Sequence, residues 1–228
     1  YHGQLTGGYI FTVPEYFANV YLQGKRLISG LFTHQGVSAT SQGPAMFAYG
    51  PWVDSAAGSA LANGTKLSAQ ALVYYPYEPN FRANGIDPIS NFPDHQIPDG
   101  WEAATWAYTP TKHAVLVVGQ RVQGETYYGV ARPGDCTIYK GYHGTPYEPR
   151  VLFYDPADLA AVAQGTKNPT TVVPYLEWNP QEFFVNTCMW ELTGAAYDSA
   201  NGILYIMHRA ADSIDREPSP ILYAFKIK

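Results

Sequence analysis

Among the residues able to carry proton or ligand chemistry, Glu102 and Glu191 stand out because their surroundings repeat. Trp101-Glu102-Ala103-Ala104-Thr105-Trp106-Ala107-Tyr108 aligns without a gap on Trp190-Glu191-Leu192-Thr193-Gly194-Ala195-Ala196-Tyr197. Two carboxylates can divide acid and base work in glycoside chemistry if folding sets their separation. They can also coordinate a hard divalent cation or bind sugar hydroxyls. Gln4 holds the matching place in an earlier unit, Gln4-Leu5-Thr6-Gly7-Gly8. An architectural role fits the same repetition, each Glu accepting backbone N–H groups from the neighbouring repeat.

Other candidates sit in polar, irregular stretches. Lys140-Gly141-Tyr142-His143-Gly144-Thr145-Pro146-Tyr147 mixes Tyr, His and Gly, which suits a planar or sugar-like ligand and equally suits a loop folded over its own aromatics. Gln120-Arg121 and His208-Arg209 follow matching strand-like runs, where a guanidinium can read an anionic group or simply end a strand. His34 lies in a further long segment, Leu31 to Gly43. Cys136 and Cys188 lack the short spacing of a zinc or redox motif, leaving a disulfide or two free thiols. Asp212-Ser213-Ile214-Asp215-Arg216-Glu217 lacks the alternation and glycine of a calcium loop, and Asn63-Gly64-Thr65 is formally a glycosylation acceptor. The sequence carries no Gly-x-Ser-x-Gly elbow, His-Glu-x-x-His, phosphate-binding glycine loop or dinucleotide fingerprint.

The elements that must position these residues also repeat. Met46-Phe47-Ala48-Tyr49, Val151-Leu152-Phe153-Tyr154 and Ile221-Leu222-Tyr223-Ala224-Phe225 each follow a proline and read as short apolar-aromatic strands. Ala62-Asn63-Gly64-Thr65-Lys66 matches Ala163-Gln164-Gly165-Thr166-Lys167, followed by Leu72 to Pro76 against Tyr175 to Pro180. Strand-like runs at Arg26 to Leu31, Ala114 to Gly119 and Ile203 to Met207 come after the Glu-bearing segments, the last behind an Asn201-Gly202 hairpin turn. A short helix is expected over Asp158 to Gln164.

Each unit thus reads as four antiparallel strands, and the chain resembles the β-propeller superfamily over nearly its whole length. The resemblance implies one all-β domain over 1–228, with a first blade at about 4–76, a loop at 77–100, a second blade at about 101–180 and a third at about 190–228. A β-sandwich of the same strands is the alternative. Three blades do not close a propeller, so the reading expects a fragment, or additional chains or copies that complete the ring. The long segments 31–43, 77–100, 120–148, 179–189 and 208–219 then gather on one face, with Glu102 and Glu191 at the mouth of a central channel. A divalent cation there is a candidate cofactor.

Composition narrows the classes. With 19 Tyr, 21 Gly and 18 Pro, the 228-residue chain favours short strands and tight turns. A net charge of −5 gives no footprint for nucleic acid, and no apolar run is long enough for a membrane helix. Starting at Tyr1 without a signal peptide, the sequence reads as a processed secreted chain or part of a longer one. The expected function is a secreted or cell-surface module binding carbohydrate or protein on the long-loop face. The alternatives are an enzyme acting on a glycan or other polar substrate through Glu102 and Glu191, and a structural assembly subunit.

Overall fold

β-Branched and aromatic runs punctuated by Gly and Pro fold as strands because their side chains suit a pleated, half-buried surface. The computed structural model describes residues 8–30, 41–50, 53–54, 59–76, 90–214 and 217–227. In chain order these form β1 (Ile10–Thr12), α1 (Glu15–Tyr21), β2 (Leu27–Ser29), β3 (Met46–Tyr49), β4 (Val53–Asp54), β5 (Ser59–Ala60) and β6 (Gln70–Val73). There follow β7 (Gly100–Tyr108), β8 (His113–Val122), β9 (Tyr127–Gly129), β10 (Gly141–His143), β11 (Tyr147–Tyr154), α2 (Pro156–Ala163), β12 (Leu176–Trp178), β13 (Leu192–Asp198), β14 (Ile203–Ile214) and β15 (Glu217–Lys226).

The fold is all-β and antiparallel. A first sheet runs β1-β2-β3-β6, a middle sheet β7-β8-β11-β12 and a third sheet β13-β14-β15, each built from strands taken in chain order; β4–β5 and β9–β10 are small hairpins. The first strand of each sheet lies next to another, β7 packing against both β1 and β13.

Two hydrophobic cores follow from this stacking. Val115 and Val117 of β8 join Phe17, Leu22, Ile28, Met46, Leu72 and Trp101 on the side of the first sheet. Leu116 and Val118, one residue out of phase, join Trp190, Leu192, Leu204 and Ile206 on the side of the third. Alternate residues of a strand face opposite ways, so a sheet covered on both faces needs an unbroken apolar run, which β8 supplies.

Local chemistry sets the ends. The Asp155 side chain caps α2 by accepting a hydrogen bond from Ala157 N at 2.8 Å, with Pro156 at its first position. Gly202, at φ 61°, closes the β13–β14 hairpin as its Asn-Gly pair predicts. Asn63 is exposed in a turn held by Thr65 N donating to Ala62 O at 3.1 Å.

The segment expected to be the first inner strand, 4–8, lies almost wholly outside the described residues, among which the first strand is β1 at Ile10–Thr12. Two expectations are corrected. A helix, α1, stands between β1 and β2 in place of a plain hairpin, because Phe17, Ala18 and Leu22 bury one helical face in the first core. Within the stretch expected to be a long loop, 208–219, the described residues 208–214 and 217–219 instead belong to β14 and β15, paired up to Ile214 and Glu217 across a register shift between His208 and Asp212.

Candidate functional site

Glu102 owes its position to a β-bulge. Trp101 pairs with Gly119 and Ala103 with Val118, so Glu102 is the unpaired extra residue on β7. Gly119 permits the close approach: a Cβ there would lie 1.9 Å from the carbonyl oxygen of Gly100. Glu191 stands just ahead of β13, and its carbonyl accepts a 2.8 Å hydrogen bond from Arg209 N. The Arg209 guanidinium returns to the Glu191 carboxylate at 3.0 Å. The bulge in β14, with Ala210 at φ 54°, lies beside this pair.

Arg209 is ion-paired with Glu191, and the charges of both act through space on Glu102. Burial, and then the Glu191 charge, push the Glu102 carboxyl above its ordinary value, while Arg209 pulls it back. The result is an unequal pair, one carboxylate ion-paired and the other encouraged to keep its proton.

His208 enters the third sheet opposite Leu192 and is fully buried. It packs near Trp190, Phe184 and Tyr223, with ring centroids at 5.5, 6.1 and 6.4 Å. Thr187 Oγ1 donates to Met189 O at 2.6 Å, so its contact with His208 Nε2 at 3.2 Å makes the imidazole the donor. Nδ1 then has no partner among the described residues. Burial pushes the imidazole below its ordinary value.

His143 and Tyr142 lie elsewhere, on the β9–β10 hairpin. His143 Nε2 donates to Gly129 O at 3.0 Å, leaving Nδ1, in the neutral ring, to accept from Thr137 Oγ1 at 3.1 Å. Its ring stacks on Tyr127 at 4.9 Å, whose hydroxyl donates to Asp135 and whose face carries Arg132 at 3.7 Å. The hydrogen bond from Tyr127 holds the Asp135 carboxyl below its ordinary value. Tyr142 meets Tyr128 edge-on at 4.9 Å and lines a cleft of about 190 Å³ with Tyr139, Lys140, Tyr147 and Met189. The Cys136–Cys188 disulfide fastens the segment after β9 to the chain leading into β13.

Arg121 points inward. Its Nε and Nη2 donate to the two Glu177 carboxylate oxygens at 3.2 and 2.5 Å, and Nη1 donates to Pro93 O at 2.8 Å. The guanidinium lies 4.5 Å from the Phe92 ring centroid and 3.7 Å from Asp99. Asp99 in turn accepts from Val122 N at 2.9 Å and Gln96 N at 3.1 Å, with His95 Nδ1 3.6 Å away. This is a polar brace made of intramolecular contacts, buried at Arg121 and Asp99 and open to solvent at Glu177.

Folding thus brings together Glu102, Glu191 and Arg209, with His208 adjacent in sequence to Arg209. It separates His143 and Tyr142 onto a hairpin and commits Arg121 to the interior. His34 lies outside the described residues, as does Gln4. Among the described residues no group of three or more His, Cys, Asp or Glu could hold a metal ion, so Glu102 and Glu191 lack a third ligand of that kind. Sequence reading missed Asp99 and Glu177, whose partners include Arg121 from a distant segment. Compared with known family models, curated proteins and solved structures, the chain matches none.

Proposed function

We propose that the chain is a segment of a β-propeller-type binding module that engages a carbohydrate or protein through Glu102, Glu191 and Arg209 at the starts of β7 and β13. The observation that carries the reading is the Glu191–Arg209 ion pair with the repeat-related Glu102 bulged out of β7 within reach of its charges, a group able to give and accept several hydrogen bonds. The propeller architecture is supported by sheets whose strands follow chain order, small hairpins apart, whereas a sandwich exchanges strands between two facing sheets. A disulfide points to an oxidising compartment, in keeping with a secreted or cell-surface setting.

Glycan-array and pull-down binding by the folded protein tests the reading. Glu102→Gln and Glu191→Gln should each abolish the strongest signal while leaving the melting temperature within a few degrees of the parent. Absence of any signal above background from folded protein overturns it. The closing blades of such a ring would come from further chain or from copies of this one. Native mass measurement checks that part, and a lone 25.2 kDa species would argue against it.

A second reading is favoured by the burial of Glu102, which favours its protonated form. A carboxyl held above its ordinary value can serve as the acid in glycan cleavage. Loss of turnover in Glu102→Gln, at unchanged stability, would select this reading over simple binding.

A further inference from the structure

At the opposite end of the same strands lies a larger cleft, of about 480 Å³, within the range of small-molecule pockets. It opens where the first strands of all three sheets converge: Phe11 comes from β1, Trp106 and Tyr108 from β7, Tyr197 from β13, and Tyr16 from α1. The wall residues Phe11 and Trp106 are buried, while Tyr16 and Tyr108 are 52% and 41% exposed. Tyr108 and Tyr197 stand edge to face at 6.0 Å, which fixes both rings against each other.

Polar groups are interleaved with these rings. Thr12 and Thr105 supply hydroxyls to the lining. Glu15 and Arg26, also in the lining, form an ion pair at 3.5 Å, and Arg26 Nε additionally donates to Val13 O at 3.3 Å. The cleft therefore carries aromatic surface and neutral hydrogen-bonding groups, and its one acid and one base neutralise each other. An anionic or cationic ligand would have to break that pair.

We propose that this cleft binds a neutral saccharide, a pyranose ring lying against the tyrosines while its hydroxyls meet Thr12, Thr105 and the exposed side of the Glu15–Arg26 pair. A sugar ring joins an apolar C–H face to a hydroxylated edge, and this lining offers a counterpart to each. The site is separate from Glu102 and Glu191 and does not depend on the function proposed for them.

Isothermal titration of the intact chain with cellotriose, maltotriose and xylotriose tests it. At least one should bind saturably, and Tyr108→Ala should weaken that binding at least tenfold. Should Tyr108→Ala lose its near-ultraviolet circular dichroism, Tyr16→Ala, altered on the exposed rim, and Thr12→Val serve in its place, each expected to weaken binding severalfold. The proposal is overturned if no trisaccharide saturates. It is equally overturned if binding survives the tyrosine variants at parent affinity, and loss of that binding in Glu102→Gln would then assign the ligand to the other end.

Discussion

The two ends of β7 solve different problems. At the Gly100 end the connections are long, and they are tied down by a disulfide, a buried guanidinium–carboxylate brace and a bulge that turns Glu102 out of the ladder. At the Tyr108 end the chain returns to β8 through a tight turn in which Thr109 N donates to Lys112 O at 2.7 Å, and the neighbouring β13–β14 hairpin relies on Asn201-Gly202. Short turns need only the right backbone conformations. Long segments need cross-links, because ordering each residue costs about 1–2 kcal/mol of backbone entropy.

The largest effect should come from the brace. Arg121→Met takes the neighbouring cation from buried Asp99, whose two backbone N–H bonds remain, and leaves Glu177 without its bidentate partner, and urea unfolding should show a loss of about 3–5 kcal/mol. A loss under about 1 kcal/mol would make the pair no more than a surface contact and remove the contrast between the ends. Next comes the disulfide, which joins residues 52 apart; replacing both Cys136 and Cys188 by Ser should cost about 3 kcal/mol, chiefly by freeing the unfolded chain. At the turn end, Gly202→Ala forces a side chain into a left-handed conformation and should cost about 1 kcal/mol. A Gly202→Ala loss as large as that of the disulfide would erase the distinction.

The smallest effect is a pH dependence. Because burial lowers the His208 value in the folded chain, the unfolded chain takes up a proton first as the pH falls through about 6.5. Stability should therefore decline below that pH and be fully present above it. His208→Phe, an apolar ring in an aromatic surround, should flatten this part of the melting-temperature profile. An unchanged slope would show that other groups produce it.

The sequence made the strands legible where apolar and aromatic residues cluster behind a proline: 46–49, 151–154 and 221–225 fall within β3, β11 and β15. The relation of Glu102 to Glu191 was half legible, since the alignment named both residues but not the packing of β7 against β13 or the bulge that places Glu102. Arg121 misled because its partner Glu177 lies 56 residues away, and no local pattern announces a contact of that span. Glu15 to Tyr21 is rich in aromatic residues that suit strands, and only the tertiary burial of Phe17 and Ala18 favours the helix. The extension of β14 was hidden by Arg209-Ala210-Ala211, which interrupts the apolar alternation just where the ladder shifts register.

The placement of β8, enclosed by a core on either face, has a consequence for how the molecule opens. Its amides are shielded by both neighbouring sheets, so solvent deuterium should reach them only when the whole structure comes apart. Beyond the register shift between His208 and Asp212, the described part of the β14–β15 ladder has Asp212 exposed and contributes to neither core, so its amides should exchange earlier. The protein should thus exchange from its third sheet inward, with the middle sheet as the last part to yield.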